Sequence, residues 1–468
     1  MICIYKRSEL GLLSISLFFL IFNLFIYIFN KEFVPITILK VTLCLYIVYS
    51  VFQLHKTIRI TNCIFIYIAG FLLFNCSRVF LSLFNPEIIL ESDKYIYYTF
   101  SNITVCSVLL LLGITFSSVI LGYLIQNNKI IPQSVHRIDV IDKRIVKVLR
   151  MIVFLSIPGL VYKFILELIL IKQYGYLIMF MELPPTPFLA RLSWGVFNIT
   201  FPMLLMFVPS LGQFKKYLLF FMIISFPSFL KGSRSTLLAP VLFFLWYYYN
   251  NYTKKNISFK KVLLALLLIA FVANAMLLLR GSEEMVYDIG MILYLLFYTQ
   301  GVTFVMLGNY IDFASSFVYK SSWYILFPIV STYHWLFTPI YREGQSYELV
   351  KQTLNLDDQL MYSVAPELYL KGAGYGSSYI AELYSLGGIL AVLVGSIILG
   401  IFIKLYEKYC CKSKIMMYLS WFLVHHFLWM SRGSYLPNLF LPLCGIIMYK
   451  LLRYFIRTHS SRVKLLTY

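Results

Sequence analysis

Three short stretches place an arginine beside a Gly-Ser pair: KGSRS at 231–235, RGSEE at 280–284 and SRGSY at 431–435. Each stands where a long apolar run begins or ends. A guanidinium keeps its charge and presents a planar fork of donors that fits phosphate oxygens. Glycine lets backbone approach closely, and serine adds a hydroxyl donor. At a membrane edge, this combination suits the binding of a polyanionic group. Arg234, Arg280 and Arg432 are therefore the leading candidates for a polyanion clamp, with Lys231 in support. The plainer alternative is that each arginine extends to lipid headgroups from a helix end.

Arg191, at the start of another apolar run, and Arg342 are second-rank members of such a clamp. Glu382, His334 and Glu284 are candidates for a general base. Glu382 also reads as an ordinary acid at a helix start, where the dipole favours it. His334 also reads as a packed histidine in an aromatic segment. Tyr384, two residues beyond Glu382, is a candidate for substrate contact. Arg78, inside an apolar run, is a further buried charge without an assignable partner.

No metal or other cofactor is expected. The six histidines are scattered, and His425-His426 is adjacent rather than at ligand spacing. Asp357-Asp358 reads as an exposed turn with at most weak cation affinity. The stretch GAGYGSS (372–378) follows no strand and is no nucleotide fingerprint. It reads as a flexible hinge, with Ser377 or Ser378 capping the next helix. Gly388 and Gly395, seven apart, would share one helix face and allow close packing.

These residues must be held by elements that the composition makes plain. Of 468 residues, 60% are hydrophobic and 13% charged, where soluble domains have about half and about a quarter. The fold class is an all-α polytopic membrane protein. Apolar segments at 10–29, 33–54, 62–84, 100–124, 151–171, 192–212, 217–230, 236–250, 262–280, 379–403, 415–430 and 436–452 make about twelve spans. The first of them lacks a small-residue cleavage site and is expected to remain as a span. The run 217–230 reaches only ~21 Å against a hydrocarbon core of ~30 Å. Lys231 and Arg234 are therefore expected below the outer surface, unless residues 214–216 extend that helix.

The net charge of +20 is not read as a nucleic-acid signal, because it lies in short tracts between spans. Basic tracts follow the second, fourth, sixth, eighth and tenth segments and flank both ends of the chain. Both termini are thus expected in the cytoplasm. The gap 281–378 instead carries nine acids against four bases, which marks it as extracytoplasmic. The expected organisation is a bundle over 1–280, a large outer loop over 281–378, and a second bundle with a cytoplasmic tail over 379–468. Within the loop, 291–311 and 323–337 are apolar and aromatic. They are expected to lie on the membrane surface or over the bundle, with an extra pair of spans as the alternative. All three arginine sites then fall on the outer side. The eight cysteines show no disulfide framework.

The span number, the large outer loop and KGSRSTLLAPVLFF together resemble the Wzy family of polysaccharide polymerases. GAGYGSSYIAELYSLGGILAVLVGSIILG (372–400) is similar to the end of that family's large loop and the span that follows. The resemblance implies a GT-C-like architecture in the bacterial inner membrane. It implies extension of O-antigen, the polymer of lipopolysaccharide, by glycosyl transfer between undecaprenyl-diphosphate-linked glycans at the periplasmic face. A chain-length regulator is the implied protein partner. Two other readings stay open: a lipid-linked oligosaccharide flippase, and an O-antigen ligase. A flippase is expected to show short loops and two related halves, and neither is visible here.

Overall fold

A computed structural model describes residues 7–30, 34–93, 98–126, 140–174, 187–230, 235–253, 288–337 and 344–465. The described chain is almost wholly helical. The helices of the first half are α1 (Arg7–Phe25), α2 (Ile36–Thr57), α3 (Cys63–Phe71), α4 (Ser77–Leu81), α5 (Asn102–Ile125), α6 (Val140–Tyr174), α7 (Phe188–Leu205), α8 (Leu211–Leu230) and α9 (Ser235–Asn251). The large loop holds α10 (Ile289–Gln300), α11 (Val302–Phe313), α12 (Phe327–Phe337), α13 (Tyr347–Val350), α14 (Leu356–Val364) and α15 (Pro366–Leu370). The chain closes with α16 (Tyr379–Tyr409), α17 (Lys414–Trp429) and α18 (Phe440–Leu465). A two-stranded antiparallel ribbon pairs Glu91–Asp93 with Tyr98–Thr99.

Among the described residues, eight helices are long and apolar enough to cross a membrane. The protein is therefore an all-α polytopic membrane protein. The sequence reading of about twelve spans differs from this in four ways. Helices α8 and α18, counted there as spans, are not among the eight. Residues 262–280 lie outside the described residues. Helices α9 and α17, with 17 and 16 residues, are short for a span. The stretch Gly290–Ser316, expected on the membrane surface or over the bundle with spans as the alternative, is long and apolar enough to cross. There Gly301 keeps a compact backbone (φ −72°, ψ 11°), so α10 passes into α11 with little interruption.

Helix α5 is the axis of the bundle. It is apolar on every face, and its residues from Thr104 to Leu124 are all buried, as an all-round apolar helix requires. Its closest partner is α16. A Cβ at Gly122 would sit 2.1 Å from the Ile397 carbonyl oxygen, and one at Gly400 would sit 2.1 Å from that of Val119. Two glycines, one on each helix, thus let the backbones touch. At one end of α5, Thr104 donates to Asp312 (2.8 Å). At the other, Tyr123 donates to the buried Glu407 of α16 (2.6 Å), which also accepts from the Ile64 N–H (3.0 Å). The first end bears the large-loop helices, and the second bears Lys404, Lys408 and the Lys414–Asp142 ion pair.

The length argument for a deep Lys231 and Arg234 lapses. Helix α8 begins at Leu211 and has 20 residues, about 30 Å, which matches the hydrocarbon core.

Candidate functional site

The loop-bearing end of the bundle gathers polar groups around the start of α16. That helix is broken: Gly388 takes a left-handed conformation (φ 59°, ψ −146°) beside an extended Gly387. A side chain at Gly388 would strain the backbone, so the break belongs to glycine. The segment 379–386 folds back so far that a Cβ at Gly395 would lie 2.5 Å from the Leu383 side chain. In a straight helix, twelve residues separate those positions by ~18 Å. Gly388 and Gly395 therefore do not form one packing face. The break replaces that expectation.

The break turns Glu382 inward, where it is 1% exposed. Its carboxylate accepts from the Ser377 hydroxyl (3.1 Å) and the Tyr435 N–H (2.8 Å). The Tyr435 hydroxyl donates to the Gly395 carbonyl (2.8 Å), and His426 meets the Tyr435 carbonyl (3.0 Å). Glu382 thus ties the hairpin 430–435 to both halves of the broken helix. Ser378 stands at the N-cap position without a side-chain cap, so the capping expectation fails. Ser377 serves Glu382 instead.

Arg432 ends the short turn that follows α17 and points to the α10–α11 junction. Its Nη1 donates to Gln300 Oε1 (3.3 Å). Its stem runs along the glycine-rich loop, where a Cβ at Gly376 would lie 3.3 Å from its Cγ. That loop is no flexible hinge. The Tyr375 and Gly376 N–H groups donate to Asp357 Oδ1 (2.8 and 2.9 Å). Burial raises the Asp357 pKa, and the two N–H groups and the Arg432 charge oppose that rise. Asp358, 6% exposed, is pushed up to about 7 by burial and by the Asp357 charge. The acidic pair is therefore not an exposed turn. It forms the first turn of α14, and the Asn355 side chain accepts from the Asp357 N–H (3.2 Å). An asparagine followed by two acids and an apolar run is a helix-start signature that could have shown this.

Two buried donors stand close to Arg432 in sequence. Ser431 Oγ and Trp429 Nε1 have no hydrogen-bond partner among the described residues. On the other side of the junction, Arg78 is 4% exposed and packs against Gly301. Its guanidinium lies 3.8 Å from the Tyr298 ring centroid and 3.9 Å from the Glu91 carboxylate, and Tyr298 donates to the same carboxylate (3.0 Å). The buried charge thus has partners, and it fastens α10 to the start of α4. A π-helical segment, Leu72–Cys76, precedes it. Such segments are frequent at functional sites.

The other sequence candidates are placed as follows. His334 is partly buried on α12, and that helix is joined to the 430–440 segment through Asn438 and Thr332 (3.3 Å). The Tyr384 hydroxyl pairs with that of Tyr27 (2.8 Å), and its ring meets Tyr310 edge-on. Arg191 lies in the first turn of α7, and its buried Nε has no hydrogen-bond partner among the described residues. Lys231, Arg234, Arg280, Glu284 and Arg342 lie outside the described residues. Of the three arginine motifs, the structure thus describes the one at 431–435 in full.

A helical bundle with a guanidinium, an amide, buried donors and a pinned backbone loop at one end defines a polytopic membrane protein able to hold an anionic group there. The chain belongs to the O-antigen polysaccharide polymerase Wzy family, whose model matches residues 12–459, nearly its whole length. Neither a curated protein nor a solved structure matches it. Family membership makes it a polymerase of O-antigen repeat units, a glycosyl-transferring enzyme that works on lipid-linked glycans in a membrane.

Proposed function

We propose that the protein joins undecaprenyl-diphosphate-linked repeat units at the periplasmic face of the inner membrane. The observation that carries this is the setting of Arg432, partly buried between Gln300 and the pinned loop, with unpaired donors beside it. A sugar diphosphate is already activated, so no further cofactor is needed. A hydroxyl of the acceptor glycan attacks the anomeric carbon of the growing chain, and the bond to the diphosphate oxygen breaks. The electron pair leaves with undecaprenyl diphosphate, and Arg432 stabilises the charge that gathers there. Arg234 and Arg280 remain the proposed companions in the clamp, with Lys231, Arg191 and Arg342 as outer contacts to the anionic lipid.

The hydroxyl proton must pass to a base. Both Glu382 oxygens are committed to hydrogen bonds, which favours a holding role for it. His334, on a helix tied to the arginine-bearing segment, is the better placed candidate. Tyr384 packs behind the site and acts by supporting the broken helix. The basic tracts between spans support cytoplasmic termini and an outward-facing site. A chain-length regulator is the proposed protein partner.

The test is complementation in a host lacking its own polymerase but able to make this glycan. Arg432→Ala should lower polymer formation by roughly 100- to 1,000-fold, about 2–4 kcal/mol of barrier, while single repeat units still reach the surface. Long chains at the wild-type level from this variant would remove the role given to Arg432. Loss of single units as well would favour a flippase or ligase.

A further inference from the structure

One carboxylate organises three consecutive residues of the glycine-rich loop. Asp357 Oδ1 accepts from the Tyr375 and Gly376 N–H groups (2.8 and 2.9 Å). A Cβ at Gly374 would lie 2.7 Å from Asp357 Oδ2, so only glycine leaves room there. Gln345 holds the loop from its other end by donating to the Ala373 carbonyl (3.1 Å). At the end nearest Arg432, Gly376 has φ +83°, and a Cβ there would lie 3.3 Å from Arg432 Cγ and 3.4 Å from its Nε. A side chain at 376 would thus be strained and would press on the arginine. The order of contact is continuous: Asn355 sets the start of α14, Asp357 sets the loop, and Gly376 borders the arginine.

We infer that Asp357 is a positioning residue for Arg432, pinning the loop 372–376 as a wall along the arginine's stem and placing a carboxylate within electrostatic reach of it. This rests on the reading that Arg432 contacts the departing diphosphate. Two effects follow from one side chain. The wall limits the rotamers open to a long, flexible residue, which then meets its anion with less entropy to lose. The charge favours the extended, docked arginine over one turned to solvent.

The experiment is a double-mutant cycle on polymer formation, with thermal melting of each purified full-length variant alongside. Asp357→Asn keeps an oxygen for the two N–H groups but removes the charge. Asp357→Ala removes both. In the wild-type background, Asp357→Ala should lower polymer formation roughly tenfold and Asp357→Asn roughly threefold. In an Arg432→Ala background, where no stem or charge is left to position, both losses should shrink below about twofold. Equal losses in the two backgrounds would show that Asp357 acts on folding alone, and so would a loss in Asp357→Asn matched by a lower melting temperature. Either result overturns the inference. Wild-type activity in both Asp357 variants with an inactive Arg432→Ala also overturns it, while the reading of Arg432 stands. Wild-type activity in Arg432→Ala overturns that reading itself.

Discussion

Arg432 differs from an arginine at an ordinary span end in what surrounds it. A headgroup-seeking side chain would be solvated, whereas this one lies between an amide and a glycine wall, with buried donors at 429 and 431. The same scale separates two roles for Glu382. If it holds the hairpin, Glu382→Ala strands the Tyr435 N–H and the Ser377 hydroxyl. It should then cost about 1–3 kcal/mol, seen as a lower melting temperature. Glu382→Gln keeps an acceptor and should retain most of the polymer yield. An inactive Glu382→Gln with unchanged melting would restore the base role. Asp358 makes a pH prediction. Its folded pKa of about 7 lies above the ordinary value of 3.8, so folding favours its neutral form. That contribution is whole below the ordinary value and is lost as pH rises through about 7. Wild-type protein should therefore melt lower at pH 8 than at pH 5, and Asp358→Asn should flatten that difference. An unchanged slope in the variant would show that the carboxyl is not kept neutral.

At the scale of elements, the site depends on a helix that stops and resumes. The break at Gly387-Gly388 frees the segment 379–386 to carry Glu382 inward, while the remainder of α16 stays locked on α5. The lock is the glycine pair at 122 and 400. Gly400→Leu should leave little inserted, folded protein, because the new side chain meets backbone at 2.1 Å rather than a movable side chain. Normal membrane yield of this variant, measured by immunoblot, would mean that the two helices can part. Apolar length made α1, α2, α5 and α16 legible, since each holds a long, strongly apolar run. It did not show the break, because Gly-Gly inside an apolar run also reads as a packing face.

For the whole molecule, the two ends of the bundle differ in chemistry. The loop-bearing end has Arg78, Glu91, Asp312, Asp357 and Arg432, and the other has Glu407, Lys404 and the Lys414–Asp142 pair. Residues 318 and 432 should therefore be labelled by a membrane-impermeant thiol reagent from outside when replaced by cysteine, and residue 412 should not. This requires a background whose native cysteines are replaced. Labelling of 432 only after the membrane is opened would turn the site to the cytoplasm and exclude a periplasmic transfer.

Composition and charge pattern alone determined the membrane class, the contrast between the basic gaps and the acidic loop, and Arg432 as a residue of interest. These follow from quantities that add along the chain: apolar length and the sign of local charge. Only the tertiary structure decided that Asp357 serves the loop, that Glu382 is committed to Tyr435 and Ser377, and that Arg78 finds Glu91 and Tyr298. Those pairings join residues from 5 to 220 positions apart. No local pattern carries them, because burial and hydrogen-bond satisfaction are settled where elements meet.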